Sequence, residues 1–202
     1  IGGVDARAAD PTVLRRQVGL VTQEVHVFAG SLAEDLRLAK PDATDDELRA
    51  ALTVVGAQRW VDLLPAGLST IVGEGGHQLS ATQAQAVALA RLVLADPPVV
   101  ILDEASADAG SAGARELDRA ADDVLAGRTA LVVAHRLSQA AAADRVVLLE
   151  AGRVAEAGTH RELLDADGGY ARLWASWSGA GALIDGPRCA KAPELDDEPR
   201  AR

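Results

Sequence analysis

The sequence predicts an α/β fold, in which a mostly parallel sheet carries helices on both faces. Residues 99–102, and residues 130–134 after Thr129, are runs of apolar residues without alternation, a pattern typical of strands buried on both faces. Helical patterns lie between the apolar runs, and strands that alternate with helices favour a parallel sheet. The 202 residues are enough for one core and a small subdomain.

The first elements follow from local signals. Residues 1–40 predict strand and loop only, with an apolar stretch at 18–23 that ends at Gln23. A helix is predicted within 41–57, because Thr44 and Glu47 have capping-box spacing and apolar residues follow at helical intervals. After a Gly-rich loop over 67–80, Ser80 is the predicted N-cap of an Ala-rich helix that ends near residue 95.

The second half continues the alternation. A helix over 112–126 is predicted to precede the strand that ends at His135, and 144–158 predict a hairpin with its turn near Gly152. A further helix begins near 159. From 179 to 202, Pro, Gly and acidic residues dominate, which predicts a disordered acidic tail.

Composition excludes several classes of function. The chain is 49% apolar and 25% charged, as expected of a globular domain. Its net charge of −10 argues against broad nucleic-acid binding. No apolar run approaches the roughly 18 residues that cross a bilayer. Cys189 is the single cysteine, which favours a reducing compartment. Since the chain begins at Ile1 and has no Met, we expect a piece of a longer protein.

Three polar positions stand just past predicted strands. They are Gln23, the adjacent carboxylates Asp103 and Glu104, and His135. Parallel strands bring their carboxyl ends to one edge. There, a carboxylate on Mg²⁺, a second one on water, a Gln and a His on a terminal phosphate would form a phosphoryl-transfer set. The alternative is that Asp103 caps a turn, Gln23 is merely exposed and His135 is a hydrogen-bonded core residue.

The order of the segments favours the first interpretation. "GLVTQEVHVFAGSLAEDL", "LSATQAQAVALARLVLADPPVVILDEAS", "GRTALVVAHRLS" and "ADRVVLLEAGRVAEAGTHREL" together resemble the nucleotide-binding domain of ABC transporters, in particular exporters whose ATPase follows a transmembrane half. The resemblance covers about 4–174. It implies a P-loop NTPase-like fold, with a partial nucleotide-binding domain over 1–178, a helical signature subdomain over 30–95 and the N-terminal part of the fold missing.

The resemblance also implies roles. Gln23 is similar to the Q-loop glutamine that contacts the metal, and Asp103 to the Walker B aspartate that holds Mg²⁺. Glu104 is similar to the catalytic carboxylate and His135 to the switch histidine on the γ-phosphate of ATP. The partners implied are a transmembrane domain and a second ATPase half. Glu74 lies in a segment similar to the exporter loop that contacts the transmembrane domain; the alternative is that Glu74 is a solvated acid in a turn. The location implied is the cytoplasmic face of the cell membrane.

Three departures qualify this resemblance. No G-x-x-x-x-G-K-[ST] loop is present, so we expect the isolated chain to bind ATP poorly or not at all. The family's LSGGQ signature, which would face the partner's γ-phosphate, is replaced by a Leu followed by Ser80, Ala81, Thr82 and Gln83. A positive φ would be costly at a β-branched Thr82. Gly110 replaces the D-loop aspartate, and Asp108 lies two residues earlier.

These departures suggest an unequal pair of ATP sites. Glu104 and His135 would serve this chain's own site, and the altered signature would serve the partner's. We therefore expect a heterodimeric exporter with one degenerate site. The alternatives are a non-hydrolysing regulatory or structural half, an inactive truncated product, or a tolerated variant of the signature with ordinary function.

Overall fold

The computed structural model describes residues 3, 5–103, 112–134 and 136–182. It confirms the α/β class with a parallel sheet. The chain divides into two compact units, Ile1–Ala134 and His135–Arg202. The described α-helices and β-strands, in chain order, are α1 (Pro11–Gln17), β1 (Val18–Val21), β2 (Gly30–Ser31), α2 (Leu32–Arg37), α3 (Asp45–Val54), α4 (Gln58–Asp62), β3 (Ile71–Val72), α5 (Ala81–Ala95), β4 (Val99–Asp103), α6 (Ala112–Leu125), β5 (Thr129–Val133), α7 (Leu137–Ala142), β6 (Val146–Glu150), β7 (Arg153–Gly158), α8 (His160–Asp165) and α9 (Gly169–Ala182). Short 3-10 helices are described at Ala6–Ala8 and Gly67–Ser69.

The larger described sheet of the first unit has three parallel strands in the order β1-β4-β5, and β2 and β3 form a separate antiparallel pair. Helix α5 packs against β1, α3 and α6. Leu92 of α5 lies directly over Gly19 of β1, where a Cβ would collide with it. The core of this unit is formed by fully buried side chains from the strands and helices, among them Leu48, Leu52, Val87, Leu89, Val100 and Val124.

Strand β5 corrects one prediction. We expected 129–134 to be buried on both faces, but all five residues of β5 are exposed. The strand lies at an edge, since β5 pairs only with β4 among the described strands, and neither of its faces is buried by another described element. Central β4 is better covered, with Val100 and Leu102 buried. The apolar run thus identified the strand correctly but not its neighbours.

The prediction of strand and loop over 1–40 is wrong in two places, because short helices form there. Helix α1 begins after Asp10, whose carboxylate accepts hydrogen bonds from the N–H groups of Thr12 and Val13. Helix α2 begins after Ser31. Both starts carry cap residues, and both helices are too short for an apolar period to be recognised.

Capping boxes start four of the described helices. Ser31 pairs with Glu34 at α2, Thr44 with Glu47 at α3, Ser80 with Gln83 at α5, and Thr159 with Glu162 at α8. The predicted starts at Thr44 and Ser80 are confirmed. In the three boxes that contain Glu, hydrogen bonds lower the pKa of that Glu from its ordinary value of 4.5. The fourth capping box, at the start of α5, contains the neutral Gln83 in place of Glu.

Helix α3 should therefore lose stability in acid. The Lys40 ammonium, and then the Thr44 N–H, lower the pKa of Glu47. A carboxyl whose pKa is lowered on folding stabilises the native state above its unfolded pKa, and that contribution disappears as pH falls through the folded pKa. We expect wild type to melt above Glu47→Gln near neutral pH and the two to converge below about pH 4.

Thermal melts followed by circular dichroism across that pH range would check this expectation. Glu74→Gln, in an exposed loop outside the four boxes, is the matched control and should show no such convergence. A constant difference between wild type and Glu47→Gln down to about pH 3 would contradict the assignment.

The second unit is built on the antiparallel hairpin of β6 and β7. Its turn consists of Ala151 and Gly152, which both have positive φ, so the predicted turn is confirmed. Tyr170 of α9 is 1% exposed and forms a small core with Val146 and Leu163. Helix α9 continues to Ala182, past residue 179 where we predicted the tail to begin, and 183–202 lie outside the described residues.

Candidate functional site

Gln23 and Asp103 lie at the same edge of the sheet. Asp103 is the last residue of β4, and Gln23 follows the end of β1 by two residues. Val21 of β1 is in register with Leu102 of β4, so the two neighbouring strands end at the same level. Both polar residues are exposed. The edge thus presents one carboxylate and one amide to solvent where parallel sheets commonly bind ligands.

Glu104 and His135 lie outside the described residues, as do Asp108 and Gly110. Glu104 directly follows Asp103 in the chain, and His135 comes two residues after β5. Asp103 is in register with Val133 of β5. The predicted placement of the second carboxylate and the histidine at this edge therefore stays a prediction that agrees with the strand register.

The start of α5 is a well-formed helix N-terminus. The Gln83 N–H donates to Ser80 Oγ at 3.2 Å, and the Ser80 N–H donates to Gln83 Oε1 at 2.9 Å. Ala81 and Thr82 are the first two helical residues, and neither has a positive φ. The strain that we considered for Thr82 is therefore absent. What distinguishes this start from one with glycines is the presence of two Cβ atoms.

The described hydrogen bonds do not join this helix start to the sheet edge. Among the residues that the structure describes, nothing accepts from the backbone N–H of Ala81 or Thr82. Two free N–H groups at the positive end of a helix of 15 residues suit an anion. The chain therefore presents two separate polar sites, one at the sheet edge and one at the start of α5.

A third exposed feature lies beyond Gln23. Phe28 is 47% exposed. The His26 ring meets it edge-on, with ring centroids 4.6 Å apart, and the Arg91 guanidinium carbon lies 5.4 Å from the Phe28 ring centroid. We name these three residues the aromatic surface. Sequence reasoning did not single them out, although Phe28 lies within the quoted segment "VFAGSL".

The loop that carries Glu74 packs against this surface. Gly73 has φ +78°, and a Cβ there would lie 2.8 Å from the backbone carbonyl of Phe28. Only glycine combines that torsion with so close an approach to another backbone. Glu74 itself is exposed. The loop thus lies against the backbone of Phe28, and both Phe28 and Glu74 are exposed.

Comparison with known proteins shows the family of the chain. A family model described as "ABC transporter" matches residues 1–107. The mitochondrial potassium channel ATP-binding subunit of Pongo abelii is 41% identical over 202 residues, 99% of this chain and 27% of that protein. The ATP-dependent lipid A-core flippase of Alkalilimnicola ehrlichii is 45% identical over 161 residues, 79% of this chain and 27% of the flippase.

A solved structure of a bacterial Atm1-family ABC exporter with ATP bound has the same fold. Its TM-score is 0.77 at 31% identity, and the match covers 95% of this chain and 32% of the exporter chain. The chain belongs to the ABC transporter family. It spans about a quarter of the length of the two curated relatives, 27% in each case. None of the helices in the described part of the chain is long and apolar enough to cross a membrane.

Proposed function

We propose that this chain is part of an ATP-hydrolysing subunit that powers export through a membrane domain, at the cytoplasmic face of the cell membrane. One observation carries the proposal: neighbouring parallel strands end in register and present Gln23 and Asp103 at one edge. The family membership of residues 1–107 supports it.

The donors at this edge fit Mg²⁺. A carboxylate and an amide supply oxygen ligands, which this hard cation prefers, and Mg²⁺ commonly takes one or two carboxylates together with water and phosphate oxygens. No group of three or more acidic, His or Cys side chains in the described ranges could hold a metal by itself. The edge is thus suited to a metal that arrives with a nucleotide, and Asp103 and Gln23 would hold it.

The remaining roles belong to the neighbours of this edge in the chain. Bound Mg²⁺ would supply charge neutralisation of the phosphate oxygens. Glu104 would orient the attacking water, and His135 would donate a hydrogen bond to the terminal phosphate. Positioning and electrostatic stabilisation are what phosphoryl transfer requires of a protein, so Glu104 need not be a strong base.

Two further surfaces would serve partners. In a head-to-tail dimer, the free N–H groups at the start of α5 would face the γ-phosphate held by the other ATPase half. The aromatic surface and the loop of Glu74 would contact the membrane domain, because aromatic and Arg side chains are enriched at protein interfaces and Phe28 and Glu74 are exposed. Signals from that domain would then reach Gln23 along the intervening residues.

Hydrolysis of ATP by the complete protein, meaning the longer subunit of which this chain is proposed to be a part, tests the proposal. We expect Mg²⁺-dependent release of phosphate from ATP, abolished by EDTA, and protection of the 99–103 peptide from hydrogen exchange when Mg·ATP is added. Asp46→Asn, an exposed change in the first turn of α3, should behave as wild type. A complete protein that binds Mg·ATP but never hydrolyses it would support the regulatory alternative, and one that does not bind would contradict both.

We further propose that the partner is a different chain, with the degenerate site built on this chain's α5. Two Cβ atoms at the start of α5 keep a phosphate farther from the backbone N–H groups than glycines would. Replacing Ala81 and Thr82 by Gly should therefore raise ATP turnover of the assembled dimer at least about threefold, because a phosphate that lies closer to preorganised N–H donors is stabilised more strongly.

Ala84→Gly, one turn into the same helix, is the control for the loss of helix propensity and should not raise turnover. If the complete wild-type protein hydrolyses ATP at ordinary rates as a homodimer, and the double glycine variant does not exceed it, the unequal dimer is excluded.

A further inference from the structure

Asp35 of α2 is a carboxylate buried in the helical part of the first unit. Its side chain has 0% exposure, and its partner Arg91 of α5 has 17%. One carboxylate oxygen, Oδ1, accepts a hydrogen bond from the Phe28 N–H at 2.9 Å, and the other, Oδ2, pairs with Arg91 Nη2. A buried carboxylate needs such compensation. Here half of it comes from the backbone of the segment that follows Gln23.

Arg91 also binds this segment directly. Its Nη1 and Nη2 donate to the His26 carbonyl at 3.1 and 3.2 Å, and its guanidinium lies over the Phe28 ring. The planar fork of Arg can bind a carbonyl and a carboxylate at once, which an ammonium cannot do in fixed geometry. Asp35 and Arg91 together, named here the clamp, thus hold the carbonyl of His26 and the N–H of Phe28.

The contacts of the clamp indicate that it positions residues 26–28 and does not only stabilise the fold. A buried ion pair generally stabilises a fold no more than apolar residues of the same volume do. Arg91 Nε is buried and has no hydrogen-bond partner in the described structure. The guanidinium is therefore oriented toward His26 and Asp35 even though one of its own donors stays unsatisfied. Such an arrangement specifies where residues 26–28 lie.

We propose that Asp35 and Arg91 are positioning residues that fix residues 26–28 on α5, so that Gln23 and the phosphate-facing start of α5 move together. Gln23 lies three residues before His26, and Arg91 lies on the helix that begins at Ala81. A contact at the aromatic surface is then transmitted to both polar sites at once. This role in catalysis rests on the proposed ATP hydrolysis.

The test uses the complete protein and the double variant Asp35→Asn with Arg91→Gln, which leaves no unpaired buried charge. We expect hydrogen exchange in the 26–29 peptide to rise at least about tenfold, with exchange over 85–92 within about twofold of wild type. We expect kcat for ATP to fall about tenfold and KM to stay within about twofold, because misplaced groups impair chemistry more than binding.

Two further variants sharpen the result. Arg91→Lys keeps the charge beside Asp35 but not the fork, so its exchange should be intermediate. Asp45→Asn breaks the exposed pair with Arg37, whose Nη2 lies 2.6 Å from Asp45 Oδ1, and should change neither readout.

Three outcomes would overturn the clamp: unchanged exchange over 26–29, an equal rise over 85–92, or a local rise with wild-type kcat. Failure of the proposed function would give a different experimental result. If wild type hydrolyses no ATP, the proposed function fails and with it the catalytic role of the clamp, whereas the exchange measurements still show whether the clamp holds residues 26–28.

Discussion

Replacing Glu104 by Gln is expected to lower steady-state ATP turnover of the complete protein at least about 100-fold, the usual scale for losing a positioned acid–base group. Gln has the same shape and removes only the negative charge that would orient the attacking water. Binding of Mg·ATP should persist, because Gln23 and Asp103, the proposed metal ligands, are unchanged. Phosphate release and ATP binding, measured on the same preparation, check both statements.

The matched control for this change is Asp46→Asn, which removes one exposed negative charge on α3. It should retain turnover, so a general effect of charge is excluded. If Glu104→Gln leaves turnover within about twofold of wild type, when a positioned group is worth at least about 100-fold, Glu104 is not the catalytic carboxylate. The proposal would then need another acid at the sheet edge.

Replacing Tyr170 by Ala is expected to unfold the second unit while the first stays folded. Tyr170 is 1% exposed, and the core of this unit contains only Val146, Leu163 and Tyr170 among the described buried residues. Its hydroxyl oxygen lies 2.8 Å from His160 Nδ1, and Glu156 accepts from the N–H groups of Gly169 and Tyr170. Truncating a buried aromatic costs about 3–5 kcal/mol, a large part of the stability of a small unit.

Hydrogen exchange followed by mass spectrometry separates the two units. In Tyr170→Ala, peptides from 146–179 should exchange at nearly unfolded rates, whereas peptides from 45–95 should keep wild-type protection. Leu173→Ala, an exposed position on the same helix at 49%, should leave both regions unchanged. Loss of protection in both regions together would show that the units do not unfold independently.

Much of the fold follows from local signals in the sequence. Thr44 and Ser80 identify helix starts because a cap needs only residues within one turn. Gly152 identifies a turn for the same reason. The burial of β5 could not be predicted from its apolar run, since burial depends on which strands and helices lie beside it. Helices α1 and α2 were missed because their few residues show no apolar period, although Asp10 and Ser31 were available as signals.

Some residues of the candidate site could be placed from the sequence, and others could not. Gln23 and Asp103 were predictable because strand ends can be read from the sequence and parallel strands share an edge. The clamp could not be predicted from the sequence, because Asp35 and Arg91 are 56 residues apart in the chain and no local pattern connects them. The structure shows where Gln23 and Asp103 lie, whereas the roles of Gln23, Asp103, Glu104 and His135 all remain predictions from sequence and family.

The chemistry of the four capping boxes differs in one respect that matters for anions. Three boxes place a carboxylate at the start of their helix, which partly cancels the positive potential there. The box of α5 has the neutral Gln83 in the same place: its side-chain oxygen accepts from the Ser80 N–H and its backbone N–H donates to Ser80 Oγ, so no charge is added. In a chain with a net charge of −10, this helix end therefore keeps a positive potential that favours an anion, and Gln83→Glu would preserve the helix while making its start less favourable to a phosphate.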